Sequence, residues 1–357
     1  MAIVHLDLGD AQDLYERWPA PTAIIVDGPY GVSGFPGDLP TVAGLADWYR
    51  PHAEAWARRS TPQTTLWFWG TELSWATVHP VLQATGWDYR TAHVWNKGKA
   101  HIAGNVNGKT IRQFPIATEL CVQYVRRVEL RTGDGELLPM KEWLRAEWLR
   151  AGLPLYKTNE AAGVKNAATR KYFTRCHLWY FPPAEIMERI AFYARRHGKP
   201  TEWPYFSLDG RTQLTAQQWR HMRTKWHHLH GITNVWEELP VHGTARIKDP
   251  KGRYVHANQK PLRLIELSIR ASTDLGDVVW DPFAGLATAG VAAHRLEREF
   301  FGAEVDAEMF EAAKHRLALE GATVHTAADH GRVGDATRRR ADQPHPADLP
   351  EPAAAGA

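Results

Sequence analysis

The sequence predicts an α/β protein with a doubly wound sheet of about seven strands and a largely helical insertion. Two observations support this prediction. Short apolar runs typical of buried strands alternate with segments of helical periodicity over residues 1–125 and again over residues 261–317. Between these stretches the strand signals disappear and helical segments remain, which indicates a separate insertion.

The first part of the chain contains most of the predicted strands. The clearest is the continuous apolar run 23–26, which a parallel sheet would bury on both faces. The loop 31–40 is too rich in Gly and Pro to form a regular element. In chain order we predict strand 3–6, helix 13–18, strand 22–26, helix 43–59, strand 64–69, helix 72–85, strand 90–95, a loop over 96–110 and strand 118–125.

The middle of the chain is basic. Residues 126–255 carry 23 Lys and Arg against 13 Asp and Glu, whereas the other residues carry 20 against 27. A local excess of positive charge favours a polyanionic partner, and a solvated basic face is the alternative. The predicted helices here are 140–151, a pair within 158–173 that turns at Gly163, 184–197 and 213–230.

The final part returns to alternating strands and helices. Pro261 opens a predicted helix that ends at residue 273, and Pro is favoured in the first helical turn. The chain beyond Arg338 is rich in Arg, Pro and Ala, so we predict disorder over 336–357. The elements between are strand 277–281, a helix ending at 296, strand 300–304 and helix 307–317.

Composition excludes several classes of protein. Hydrophobic residues make up 44% of the chain and 16 residues are Trp, which excludes a disordered chain. No apolar run could cross a bilayer, and the first residues lack the basic start of a signal peptide. The two Cys residues, Cys121 and Cys176, provide no disulfide framework. We therefore expect a cytoplasmic protein without membrane contact.

Two strand ends are candidate ligand sites. Asp27-Gly28-Pro29-Tyr30 follows the run 23–26, and open α/β sheets bind ligands at the carboxyl ends of such strands. An ordinary Asp-Gly turn is the alternative. The turn Asp281-Pro-Phe-Ala-Gly285 opens a helix, and Glu304 ends the next strand, where an acid can bind ribose hydroxyls. This second site indicates a Rossmann-like nucleoside site, without the G-x-G-x-x-G of nicotinamide-dependent oxidoreductases.

The motifs of this chain resemble those of a known family, the permuted (beta-group) DNA amino-methyltransferases of restriction–modification systems. The motifs are the two strand-end sites, Glu304 and the segment His256-Ala-Asn-Gln-Lys-Pro261. In that family the catalytic D/S-P-P-Y motif comes first and the cofactor motif D-P-F-x-G-S-G-T last. The resemblance implies a class I methyltransferase fold with a mixed seven-stranded sheet, S-adenosylmethionine as cofactor, and double-stranded DNA as partner, with a cognate restriction endonuclease as a further candidate. It divides the chain into a catalytic half (1–126), a target-recognition region (127–255) and a cofactor-binding half (256–320).

The resemblance also implies roles for individual residues. Asp27 and the Gly28 carbonyl would accept the N–H groups of the target amino group, Pro29 would stiffen the motif, and Tyr30 would stack on the flipped base. For Asp10 a helix N-cap is the alternative to a cofactor role. The cofactor-binding residues would be Asp10, Lys260, Pro261, Asp281, Phe283, Ala284, Gly285, Thr288, Glu304 and Asp306.

The target atom implied by the resemblance is N6 of adenine. The family uses Asp at the first catalytic position mostly for adenine and Ser mostly for cytosine. N4 of cytosine is the alternative because both bases carry an exocyclic amino group on a ring.

Two residues depart from the family pattern. Gly28 stands in place of Pro, and Ala287 stands in place of Gly, so we expect a methyl group where the cofactor approaches the backbone. These departures leave open a DNA-binding regulator that has kept the fold and lost methyl transfer.

The helix pair within 158–173 resembles a helix-turn-helix. Two packed helices with a basic solvent face are the alternative. The histidines near residue 228 and the Cys176-His177 pair lack the spacing of a zinc site, so no metal is expected. The DNA-binding candidates, all expected on the second helix, are Lys165, Asn166, Arg170 and Lys171.

Overall fold

A computed structural model describes residues 3–34, 37–98, 112–242, 246–247 and 259–326. Several sequence predictions lie outside these residues. They are Phe35 in the loop 31–40, residues 99–110 of the predicted loop, the first three residues of the motif that begins at His256, and the tail for which we predict disorder.

A nine-stranded sheet forms the centre of the fold. The strands are β1 (Val4–Leu8), β2 (Ala23–Val26), β3 (Thr65–Gly70), β4 (Trp87–Asn96), β5 (Thr118–Arg126), β6 (Glu129–Arg131), β7 (Leu137–Pro139), β8 (Val235–Glu237), β9 (Val278–Asp281), β10 (Glu299–Glu304) and β11 (Val324–His325). Their order in the sheet is β11-β1-β10-β9-β2-β3-β5-β4-β8, while β6 and β7 form a separate hairpin. Only β5 runs antiparallel to its neighbours in the large sheet.

The sheet is mixed, as predicted, but it has nine strands rather than seven. The two additional strands are β8 and β11, which extend its two edges. They contain only three and two residues. Segments this short carry no detectable period in hydrophobicity, so the sequence gives no signal for them.

The helices of the described residues are α1 (Leu45–Arg59), α2 (Glu72–Ala84), α3 (Met140–Arg150), α4 (Lys157–Ala162), α5 (Ala168–Tyr172), α6 (Ala184–His197), α7 (Ala216–His221), α8 (Leu262–Ser272), α9 (Thr288–Arg295) and α10 (Ala307–Leu319). Five of them pack on the sheet: α1 and α2 on one face, and α8, α9 and α10 on the other. Ile25 packs in one core with α8, α9 and α10, whereas Ile24 packs in the opposite core with α1 and α2. Successive strand residues point to opposite faces, so covering both faces requires an uninterrupted apolar run in β2.

Two predicted helices are wrong in extent. Only a short 3-10 helix forms here, at Ala11–Asp13, and residues 14–17 form turns, because the segment is brief and Pro19 disfavours a helical residue before it. Helix 213–230 is confined to Ala216–His221. Beyond it, the backbone N–H of His227 donates to the carbonyl of Ala271 at 2.8 Å, outside the segment.

The helical region has its own hydrophobic core, centred on Trp143, Trp148 and Trp219. A fully buried carboxylate, Glu147, lies within it. Its oxygens accept the backbone N–H groups of Gly133 and Phe206, each at 2.9 Å, and the guanidinium of Arg150 at 2.7 and 3.0 Å. One side chain therefore joins the β6–β7 hairpin, α3 and the loop that contains Phe206.

Within the described ranges, no helix combines the length and the apolar character that a membrane crossing needs.

Candidate active site at the carboxyl edge of the sheet

The two predicted ligand sites meet in the structure. β2 and β9 are parallel neighbours, with Ile24 opposite Trp280, so Asp27 and Asp281 lie at the same edge of the sheet. A cleft separates the two turns that follow these strands. It is lined by Ile25, Asp27, Gln259, Lys260, Ile265, Asp281, Phe283, Ala284, Gly285, Leu286, Thr288 and Ala289.

A compact polar cluster surrounds Asp27. Its Oδ1 atom accepts hydrogen bonds from the Tyr30 hydroxyl and from Lys260 Nζ, each at 2.8 Å. The same two groups contact Glu119 Oε1, at 2.7 Å from Tyr30 and 3.1 Å from Lys260. The second oxygen of Glu119 lies 2.7 Å from Lys97 Nζ. Two carboxylates and two ammonium groups therefore balance each other in charge.

The environment fixes the charge of these groups in different ways. Burial alone would raise the pKa of Glu119, but the charges of Lys260 and Lys97 lower it to about 2. Burial opposes the charge of Lys260, yet Asp27 and Glu119 raise its pKa above the ordinary value. Among the described residues no cation offsets the burial of Asp281: burial, and then the negative charge of Asp27, raise the pKa of this carboxyl well above its usual range. The cleft therefore has a balanced pocket at one end and an unneutralised acid at the other.

Glu119 and Lys97 were not predicted from the sequence. Because β5 is antiparallel, its first residues lie at the edge where the parallel strands end. Glu119 is the second residue of β5 and so reaches Asp27 from the other side. A single acidic residue at the start of a strand gives no indication of strand direction, and periodicity could not have found it.

The acidic residues at the other end of the cleft are held by backbone groups. Glu304 accepts the N–H of Gly285 at 2.8 Å and the N–H of Asp306 at 2.9 Å, one on each carboxylate oxygen. Asp306 caps α10 by accepting the N–H of Met309. Asp10 caps the 3-10 helix, as its alternative interpretation predicted, and lies beside Glu304 because Gly9 N–H donates to the Glu304 carbonyl.

Ala287 does not face the cleft. Its side chain is fully buried in the core beneath α9, while Leu286 and Thr288 on either side line the cleft. The backbone of Ala287 is left-handed, with φ of 51°. The burial of this side chain gives no support to the expectation that its methyl group stands where the cofactor approaches.

Gly28 has a steric reason to lack a side chain. A Cβ atom at this position would lie 2.6 Å from the Tyr49 hydroxyl and 2.7 Å from Cδ2 of Phe283. Tyr49 is itself held by a hydrogen bond to the Pro29 carbonyl at 3.1 Å. The turn that follows β2 and the turn that follows β9 thus pack directly against each other through the space that Gly28 leaves open.

We expect Gly28→Ala to lower the free energy of unfolding by about 1–3 kcal/mol, because overpacking forces Phe283 or Tyr49 to move. Gly28→Pro, which restores the residue of the family motif, should be no better. Urea denaturation measures both. Gly44→Ala is the matched control, since its Cβ would meet only Leu39 at 3.7 Å. Equal stability of Gly28→Ala and Gly44→Ala would contradict the steric argument.

The DNA-binding candidates are exposed and lie outside the cleft. Lys165 and Asn166 were expected on a helix, but they precede α5, which contains only five residues. The side-chain oxygen of Asn159 accepts the N–H groups of Ala168 and Thr169, so the helix begins only there. Arg170 and Lys171 lie on α5 as predicted.

Comparison with known proteins identifies a family whose model matches this chain. A family model described as DNA methylase matches residues 22–315. Type II methyltransferase M.HinfI of Haemophilus influenzae is 38% identical over 84 residues, which are 24% of this chain and 23% of that protein. Type II methyltransferase M2.DpnII of Streptococcus pneumoniae is 46% identical over 92 residues, 26% of this chain and 32% of that protein. The aligned segments thus span less than a third of either curated relative.

Among solved structures, the cytosine-N4-specific PvuII DNA methyltransferase aligns over 95% of this chain and 93% of its own, with a TM-score of 0.49 and 14% identity.

Proposed function

The chain belongs to the N6/N4 DNA methylase family, and from this premise we propose that it transfers a methyl group from S-adenosylmethionine to an exocyclic amino group in double-stranded DNA, namely N6 of adenine. The observation that carries the proposal is the position of Asp27. It lies at the end of a central strand, beside the Asp281 turn, with one carboxylate oxygen held by Tyr30 and Lys260.

The cleft has the chemistry of a site for S-adenosylmethionine, which is a cationic nucleoside. Burial, and then the negative charge of Asp27, raise the pKa of Asp281, so a positively charged ligand would favour the ionised form of this carboxyl. Glu304 is an acceptor for ribose hydroxyls, and Phe283, Ala284, Gly285 and Thr288 line the cleft between the two acids. We assign Lys260, which lines the cleft, and the adjacent Pro261 to the border of this site, and Asp10 and Asp306 to its ribose end because both neighbour Glu304. When bound, the cofactor supplies an electrophilic methyl group.

The residues around Asp27 would make the amino nitrogen of the target base more nucleophilic. The lone pair of an amino group on a base is delocalised into the ring, which makes the nitrogen a poor nucleophile. Asp27 and the Gly28 carbonyl accept its two N–H groups and turn the lone pair out of the ring plane. Pro29 stiffens the turn and Tyr30 stacks on the base. Positioning of this kind supplies much of the rate of a displacement reaction.

The two departures from the family motif do not favour a regulator without activity. Gly28 retains the carbonyl that accepts an N–H group. The space that a side chain would take at this position is occupied by Tyr49 and Phe283. Ala287 leaves the cleft open because its side chain is buried.

DNA contacts are proposed for the exposed basic surface around α5. Lys165, Asn166, Arg170 and Lys171 all carry accessible polar groups suited to phosphate oxygens. A flipped base would reach Asp27 from the carboxyl edge of the sheet, so we propose that the duplex lies across that edge. The curated relatives are named Type II methyltransferases, which supports a cognate restriction endonuclease as a further partner.

The target atom is tested by methylating DNA with the purified protein, digesting the DNA to nucleosides and weighing them. We expect N6-methyladenine, because Asp occupies the first catalytic position. N4-methylcytosine without N6-methyladenine would change the target base and leave the roles of Asp27 and Tyr30 in place. DNA incubated with cofactor alone is the control for methylation already present in the substrate.

A further inference from the structure

Four polar atoms at the catalytic motif form a closed ring of contacts. Asp27 Oδ1 and Glu119 Oε1 each lie within hydrogen-bond distance of both the Tyr30 hydroxyl and Lys260 Nζ. The contacts with Tyr30 are 2.8 and 2.7 Å, and those with Lys260 are 2.8 and 3.1 Å. The catalytic motif supplies only Asp27 and Tyr30, so half of the ring comes from β5 and from the residue before Pro261.

The ring fixes the orientation of the Asp27 carboxylate. Among the residues that the structure describes, both hydrogen bonds to Asp27 fall on Oδ1. The carboxylate is therefore held by one oxygen, and Oδ2 is the atom left to accept the target N–H. Tyr30 is restrained in the same way, because its hydroxyl lies between two acceptors while Lys260 Nζ is 5.2 Å from its ring centre.

The burial of this cluster argues against a purely structural role. The side chains of Lys260 and Glu119 are only 5% and 9% exposed. Buried ion pairs seldom stabilise a fold more than apolar residues of the same volume, because desolvation offsets the attraction. A second cation, Lys97, contacts the other oxygen of Glu119 and compensates its charge. The sheet alone needs none of these charges.

We propose that Glu119 and Lys260 are positioning residues that hold Asp27 and Tyr30 in place for the target base. This inference rests on the proposed methyltransferase function. Glu119 aligns Lys260 and the Tyr30 hydroxyl, and these two groups fix Oδ1 of Asp27. The ammonium group of Lys260 thus serves the base pocket, although its side chain also borders the cofactor cleft.

The test compares Glu119→Gln and Tyr30→Phe with the unaltered protein. Glu119→Gln keeps the shape of the side chain and removes its charge, while Tyr30→Phe keeps the stacking ring and removes the hydroxyl. We expect the single-turnover rate of methyl transfer to fall about 10- to 100-fold in both, as small misplacements of reacting groups do. The dissociation constants for S-adenosylmethionine and for DNA should stay within about threefold. Neither Glu119 nor the Tyr30 hydroxyl is among the contacts that we propose for the cofactor or the DNA.

Glu72→Gln is the matched control, because this carboxylate is exposed in the first turn of α2 and lies outside the cluster. Thermal melting of every variant separates misplacement from unfolding, and Tyr30→Phe changes no charge. The inference is overturned if both variants transfer at the unaltered rate. It is also overturned if the rate falls only in proportion to lost cofactor binding. Failure of the proposed function has a different signature, because the unaltered protein would then methylate no DNA.

Discussion

Asp27→Ala is expected to lower the rate of methyl transfer by about 1,000-fold or more, the largest effect of any single change in the cleft. The side chain would lose both its acceptor for the target N–H and its contacts with Tyr30 and Lys260. Cofactor affinity should change only a few-fold, because the backbone of the Asp281 turn and Glu304 remain. Single-turnover assays and calorimetry with S-adenosylmethionine measure the two quantities separately.

Asp47→Ala is the control for Asp27→Ala, since Asp47 lies in the first turn of the neighbouring helix α1 and makes no part of the cleft lining. It should transfer methyl groups at the unaltered rate. An equal loss of cofactor binding and of transfer in Asp27→Ala would show that Asp27 belongs to the cofactor site. Transfer at the unaltered rate would remove Asp27 from the mechanism.

Glu147→Ala is expected to destabilise the helical region by about 3–5 kcal/mol, as removal of one partner from a buried ion pair does. The guanidinium of Arg150 would lose its carboxylate, and the N–H groups of Gly133 and Phe206 would lose their acceptor. Phe206 also has a left-handed backbone with φ of 55°, a conformation that is unfavourable for a bulky residue. The loop that contains it depends on this hydrogen bond.

Urea denaturation followed by far-ultraviolet circular dichroism measures the effect of Glu147→Ala. Glu142→Ala is the control, because Glu142 is exposed in the first turn of the same helix. It should change the free energy of unfolding by less than about 0.5 kcal/mol. If both variants unfold at the same urea concentration, the buried carboxylate is not what joins the hairpin, α3 and the Phe206 loop.

The sheet was predictable wherever a strand is buried on both faces. The apolar runs of β2, β3 and β9 are typical of buried strands, and their predicted positions agree with the structure. Short edge strands and the end of α7 were not predictable. In the second case the segment after His221 looks helical in composition, but its N–H groups bond to the turn before β3 and to α8. Only the tertiary structure supplies those acceptors.

The candidate site was predictable where a motif follows a strand. The sequence predicted the turns at Asp27 and Asp281, and the structure brings them to one cleft. It did not predict Glu119 or Tyr49, which reach the cleft from an antiparallel strand and from a helix face. Their contribution depends on strand direction and helix rotation, which are set by packing. The same applies to Ala287, whose methyl group is buried in the core and is not part of the cleft lining.

The order of strands in the sheet has a consequence for biosynthesis. β2 pairs with β9 and β1 pairs with β10, so Ala23 lies opposite Val279 and Val4 opposite Phe300. While the chain emerges from the ribosome, the free edge of β2 has no partner until the whole helical region and α8 have been made, because β9 follows both in the chain. Long-range pairing of this kind slows folding and exposes an apolar strand edge to aggregation. The helical region, with a core of its own, can fold during that interval, and the sheet is completed only when the final third of the chain is available.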